Sequence, residues 1–211
     1  MIFRRSIAML GLCAVFLLSG CATGPRTFAV DDAEIRSILV PPVVNTTPQV
    51  EADSLMAATS TTPLANYGYY VFPVDTVKFV LEAEALYEPE RVRQLGPEKL
   101  AEMFNSDAVL FIKVLYWDAQ YVVFNTKTTV KAEYELYKAD GSKIWSDTVS
   151  ASFDSNSNSS SIVGLLTDAV VAAVNRAAPN FKPAAKRVNA FALRHWNVGP
   201  YIREQQNKSQ Q

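Results

Sequence analysis

Few side chains in this sequence combine a reactive type with a suitable setting, and the most telling is a cysteine. Leu18-Ser19-Gly20-Cys21 is a complete lipobox. The Cys21 thiol supplies the sulfur that takes up a diacylglyceryl group, and the small residues Ser19 and Gly20 let a peptidase reach the backbone before it. His195, the chain's one histidine, is where a general base for a Ser-His-Asp hydrolase would have to be found. No G-x-S-x-G elbow accompanies it, so a surface or interface histidine is expected. Asp154-Ser155-Asn156-Ser157-Asn158 copies the first five positions of a calcium loop. The copy then fails, with Ser159 where glycine makes the turn and Leu165 where a bidentate glutamate closes the cage. The carboxylate pairs Asp31/Asp32, Glu82/Glu84 and Glu88/Glu90 have the makings of acid–base work, but all stand in polar settings and read as solvated faces. The expectation is therefore no enzyme, no metal and no cofactor.

The lipobox sits at the end of an export signal. Arg4 and Arg5 give a basic start, and the apolar run from Ile7 to Leu18 falls short of the roughly 20 residues a membrane span needs. Residues 1–20 are read as a removed signal peptide and 21–33 as a tether from lipidated Cys21. Two acyl chains hold such an anchor firmly, at about 0.8 kcal/mol per buried CH₂. Ala22 follows the cysteine where Asp would favour inner-membrane retention in enteric-type sorting, so the periplasmic side of the outer membrane is expected. Cys13 leaves with the signal and Cys21 is consumed by lipid. The mature chain then has no thiol for a disulfide, a nucleophile or a thiolate metal site. It carries 18 basic against 21 acidic side chains, a net charge of −3, which gives no electrostatic case for nucleic acid.

The elements follow from period and punctuation. Ser37–Val40 reads as a strand running into a turn at Pro41-Pro42, either an edge strand or one that ends at Pro41, because two missing donors and fixed φ cannot continue a central strand. A helix is expected from Val50 to about Ser60, with Pro63 better suited to a first turn. Gly68–Val74 is a short aromatic strand. Val77, Val80, Leu81, Ala83 and Leu86 recur at helical spacing, and Pro97–Phe104 is a further helix. Asp107–Val114 is apolar on both faces and hence central. From Thr126 to Tyr137, Thr128, Val130, Ala132, Tyr134 and Leu136 face one way and Lys127, Thr129, Lys131, Glu133 and Glu135 the other. Asp140-Gly141 turns the chain into a returning strand that points Trp145, Val149, Ala151 and Phe153 inward. A serine-capped helix, Ile162 to Ala178, ends at Pro179. The order β-α-β-α-α-β-β-β-α is an α+β domain over 34–179, a mixed sheet with an antiparallel three-stranded meander and helices packed on it.

Three segments are also familiar. Thr61-Thr62-Pro63-Leu64-Ala65, Gly68-Tyr69-Tyr70-Val71-Phe72-Pro73-Val74 and Phe104-Asn105-Ser106-Asp107-Ala108-Val109-Leu110 resemble the signature segments of an uncharacterised family of Gram-negative outer-membrane lipoproteins. In that family the third segment usually reads FGADAVLY, and here Asn105-Ser106 replace Gly-Ala. The resemblance spans residues 35 to 165. It implies a fold similar to the N-terminal domain of TolB and the periplasmic domain of CsgG, and with it a part in envelope transport or assembly. It brings no catalytic residues.

Two surfaces are candidates for contact. In the helix from Ile162 to Ala178, apolar residues including Ile162, Val163, Leu166, Val170 and Val174 occupy most of the circumference, the pattern of a helix that is either central in the core or shared with a partner. Residues 180–211 read as a basic and aromatic arm ending in a disordered tail from Glu204 to Gln211; either Lys186, Arg187, Arg194 and Trp196 contact an anionic surface, or the arm's aromatics dock on the domain. The expected function is a non-enzymatic component of an envelope transport, secretion or assembly complex, self-associating or docked to an envelope protein. The alternative is a lipoprotein that carries a lipid or glycan fragment on Tyr69, Tyr70, Phe72, Trp117 and Tyr121.

Overall fold

The computed structural model describes residue 30 and residues 33–122, 125–154 and 180–210, the side chains at 120–122, 125–126 and 154 excepted. Its axis is strand β4, Ala108–Val122. The run Ala108 to Ile112 is buried throughout, as a strand covered on both faces requires. Along one edge β4 pairs in parallel first with β1, Ser37–Leu39, and then with β2, Val44–Asn45. Leu39 lies opposite Val109 and Val44 opposite Lys113, so the chain advances one residue more than its partner between these points. Pro41-Pro42 occupies that slip, where no ladder bond is asked of a proline.

Along its other edge β4 starts the expected meander. It pairs antiparallel with β5, Asn125–Lys138, and β5 with β6, Lys143–Asp154. Gly141 takes φ +85° in the β5–β6 turn, and the Asp140 carboxylate accepts from the backbone N–H of Ser142 at 2.9 Å. Strand β3, Tyr70–Val71, pairs in parallel with β1 and leaves its other side at the sheet edge.

Helices cover both faces. On one lie α1, Ala52–Asn66, and α5, Lys182–Leu193, over Ile38, Leu110, Ile112, Val130, Tyr134 and Leu136. On the other, over the parallel end, lie α2, Val74–Ala83, α3, Pro89–Gln94, and α4, Pro97–Phe104. These bury Val77, Leu81, Val92 and Leu100 against Leu39, Val109 and Phe111.

Several expectations need correcting. Helix α1 does not stop near Ser60 but continues through Pro63. Ala52, Met56, Ser60 and Leu64 keep one buried row of period four, and Pro63 falls in the last turn, where only one internal bond is lost. Helix α3 and strand β2 are additional short elements. The largest change concerns residues 180–211, which are no arm. Ala184, Ala185, Val188, Ala192 and Leu193 of α5 are buried in the main core, the small alanines allowing close approach. The tail expected to be disordered from Glu204 onward instead continues α6, Pro200–Ser209. The helix expected over 162–178, the signal peptide and Cys21 lie outside the described residues.

Candidate functional site

The three signature segments meet at the parallel end of the sheet, and most of their residues are structural. Asp107 joins the starts of β1 and β4: its Oδ2 accepts from the backbone N–H of Arg36 at 2.9 Å and from the N–H and hydroxyl of Ser37 at 2.8 Å. Asn105 ends α4 in the left-handed conformation, φ 49° and ψ 49°, which is why glycine or asparagine belongs there. Gly68, at φ +87°, lies under the first turn of α6, where a Cβ would stand 2.7 Å from Cγ1 of Ile202. Gly199 donates its N–H to the Tyr67 carbonyl at 2.5 Å. Leu64 and Tyr69 are buried.

Four of the remaining residues of the first two segments stand together around one groove. Thr61, Thr62, Ala65 and Tyr70, with Asn66, Tyr69 and Val71, line a shallow groove of about 450 Å³ between the end of α1 and strand β3. Tyr70 is 48% exposed on this edge strand, its ring edge-on to Phe72 at 5.1 Å. An edge strand with an exposed aromatic beside a groove is a template for an added strand or loop.

A second concavity, about 380 Å³, opens between α1 and α2. Its floor is Val40 to Val43, and Asp53, Asp75, Lys78, Glu82 and Tyr87 stand around it. It lies beyond the carboxyl ends of β1 and β3, where open parallel sheets form crevices. The sequence reading missed this cleft, although a strand broken by Pro41-Pro42 between two helix-linked strands marks it.

The aromatics considered for a ligand pocket do not converge. Tyr69 packs edge-on to Trp196 at 6.0 Å and Trp117 stacks on Phe181 at 5.0 Å, all within the α1–α5 core. Phe72 belongs to the other face, beside Phe104. The Tyr121 side chain lies outside the described residues. Of the expected anionic-surface residues, Lys186, Arg187 and Arg194 are exposed on one side of α5. Trp196 is 2% exposed and faces the core, because its ring is clamped between Tyr69 and Trp145. His195 is exposed. Ile162, Val163, Leu166, Val170 and Val174, Asp31/Asp32 and Ser155–Asn158 lie outside the described residues. Glu84, Glu88 and Glu90 are solvated and Glu82 is half-buried.

One charged cluster was not anticipated. Glu135, on the otherwise open face of β5, is 9% exposed and takes ion pairs from Arg93 of α3 and, at 2.5 Å, Lys143 of β6. Burial alone would raise the Glu135 carboxyl, but the Lys143 and Arg93 cations outweigh it and hold it below the usual carboxylate range.

This arrangement has relatives. A family model, GNA1162-like, matches residues 28–195. The chain belongs to this lipoprotein family. The match extends past the residues 35 to 165 on which the resemblance was drawn, and takes in α5, consistent with the helix being part of the domain. The chain is 33% identical over 168 residues to the lipoprotein NMB1124/NMB1162 of Neisseria meningitidis serogroup B, spanning 77% of this chain and 78% of that one. It is similar to the crystal structure of lipoprotein GNA1162 from Neisseria meningitidis, with 34% identity and a TM-score of 0.53 over 66% of this chain and 98% of that one.

Proposed function

We propose that this lipoprotein is held to the periplasmic side of the outer membrane by lipid on Cys21 and serves as a non-enzymatic component of an envelope transport or assembly complex. It docks a protein partner along β3. The observation that carries this reading is the β3 edge itself. Buried Leu64 and Tyr69 hold the chain on either side of that edge, while Thr61, Thr62, Ala65 and Tyr70 are left around one groove. The lipobox supplies the anchor and Ala22 the sorting preference. A photo-crosslinking residue at Tyr70 should trap a discrete adduct on whole cells, whereas the same residue at Lys131, on the open face of β5, should not. Equal trapping at both positions, or none at Tyr70, would count against the reading; a homodimeric adduct would make the partner a second copy.

The cleft between α1 and α2 favours a second reading, a carrier of a small amphipathic lipid or glycan fragment, because an apolar floor with a charged rim suits such a ligand. Mass spectrometry of protein purified from its own envelope should then find a ligand that is lost on Ala57→Trp. Purification free of any such compound refutes this reading.

A further inference from the structure

The chain enters the described structure at Val30, and that entry is fixed in place. Val30 forms a parallel β-bridge with Trp196, and its carbonyl accepts from the backbone N–H of Asn197 at 2.9 Å. Val30 and Trp196 are buried. Trp196 directly follows Arg194 and His195 at the end of α5. Cys21 stands nine residues before Val30, a stretch that spans at most about 30 Å when fully extended. A membrane holding Cys21 therefore lies within that reach of the end of α5.

Helix α5 cannot roll about its axis. Its Asn189 is buried, accepting from the Tyr134 hydroxyl at 2.7 Å and donating to Thr59 Oγ1 at 2.9 Å, so the opposite side is committed to solvent. That side carries two adjacent rows of period four, Lys186, Ala190 and Arg194 beside Arg187, Phe191 and His195, all exposed. Phe191 is 42% exposed, and Arg187 donates to the Ser152 carbonyl at 2.7 Å, which steadies its guanidinium at the edge of the face. Between Asn180 and Gln211 the one acidic side chain is Glu204, already bound to Arg36 at 2.7 Å.

We propose that this face of α5 lies on the anionic phospholipid headgroups of the leaflet that holds the anchor. The inference rests on acylation of Cys21, as proposed above. The tether keeps the face at high local concentration near the surface. Lys186, Arg187 and Arg194 meet lipid phosphates, and Phe191 enters the interface as exposed aromatics do at bilayer boundaries. Basic side chains at such a surface contribute about 1 kcal/mol each, roughly five-fold in the docked-to-free ratio.

The test uses the lipidated mature protein in vesicles of phosphatidylcholine with or without phosphatidylglycerol, carrying a polarity-sensitive fluorophore at Ala190→Cys. Blue-shifted emission is expected in the phosphatidylglycerol vesicles alone, with the docked-to-free ratio falling roughly five-fold for each of Lys186→Gln and Arg194→Gln and unchanged by Lys99→Gln on α4. Flotation with the vesicles reports the anchor separately from the fluorophore. Flotation with the same emission in both vesicle types, or with emission indifferent to Lys186→Gln and Arg194→Gln, overturns the docking of α5 while leaving the anchor intact. Failure to float removes the anchor and the docking with it.

Discussion

Restoring Gly-Ala in place of Asn105-Ser106 should stabilise the protein, and the two positions should contribute unequally. Asn105 sits at φ 49° and ψ 49°, a conformation that costs most L-residues about 1–2 kcal/mol and asparagine less. Glycine removes that strain but adds freedom to the unfolded chain, worth about 0.5–1 kcal/mol, so Asn105→Gly alone should be nearly neutral. Ser106 differs. It is 4% exposed and its buried hydroxyl meets no protein partner. An unpaired buried hydroxyl costs about 1–3 kcal/mol, and Ser106→Ala removes it without changing the backbone. The double variant should thus gain about 1–2 kcal/mol, read by circular dichroism as a melting temperature higher by roughly 2–8 °C for a chain of this size. Asn105→Val, with a β-branched side chain in the left-handed region, should lose about 1–2 kcal/mol. A lowered melting temperature for Ser106→Ala, or no penalty for Asn105→Val, would refute the structural account of this segment.

Other perturbations follow from the same contacts. Asn189→Ala leaves the Tyr134 hydroxyl buried without its acceptor and removes the bond to Thr59 Oγ1, and should cost about 2–3 kcal/mol in urea unfolding, part of which the added Tyr134→Phe should restore. Gly199→Ala places a Cβ 2.5 Å from the Gly68 carbonyl oxygen, a backbone atom that cannot yield. Faster amide exchange across α6 should report it, with a loss of about 1–3 kcal/mol. The Glu135 carboxyl is lower in the folded than in the unfolded chain. Its contribution is therefore present above the ordinary carboxylate value of about 4.3 and lost as pH falls through the folded one. Denaturant midpoints from pH 6 down to 3 should fall less steeply for Glu135→Gln than for the native chain.

The meander was legible because β5 alternates without interruption and Asp140-Gly141 admits one turn. The one exception on its polar face, Glu135, could not be foreseen, since the cations that bury it come from Arg93 on an unexpected short helix and Lys143 across the sheet. Pro41-Pro42 marked the end of β1 correctly, but β2 resumes beyond it because β4 is long enough to pair twice. Pro63 misled in the opposite sense: the burial of Leu64 carries α1 past a residue whose local preference is to start a helix. The C-terminal segment was misread for its charges. Lys186, Arg187 and Arg194 suggested an arm, whereas Ala184, Ala185, Val188 and Ala192 formed the apolar stripe of a core helix whose small size weakened its signal. The same helix keeps the basic face that the charges implied, without Trp196, whose partners Tyr69 and Trp145 come from distant parts of the chain. The exposed groove was hidden in the signature segments, because nothing local separates Tyr69, which is buried, from Tyr70, which is not.

Docking along β3 is tested most directly by the size of the assembly that the lipidated protein forms in gently solubilised envelopes, compared between the native chain and Ala65→Arg/Tyr70→Asp by native electrophoresis. Both substituted side chains face the groove, so the variant should keep its melting temperature within a few degrees and remain in the membrane fraction. The native chain should migrate in a discrete larger assembly and the variant as the free lipoprotein. Identical migration of the two, with the variant folded and anchored, would contradict the account.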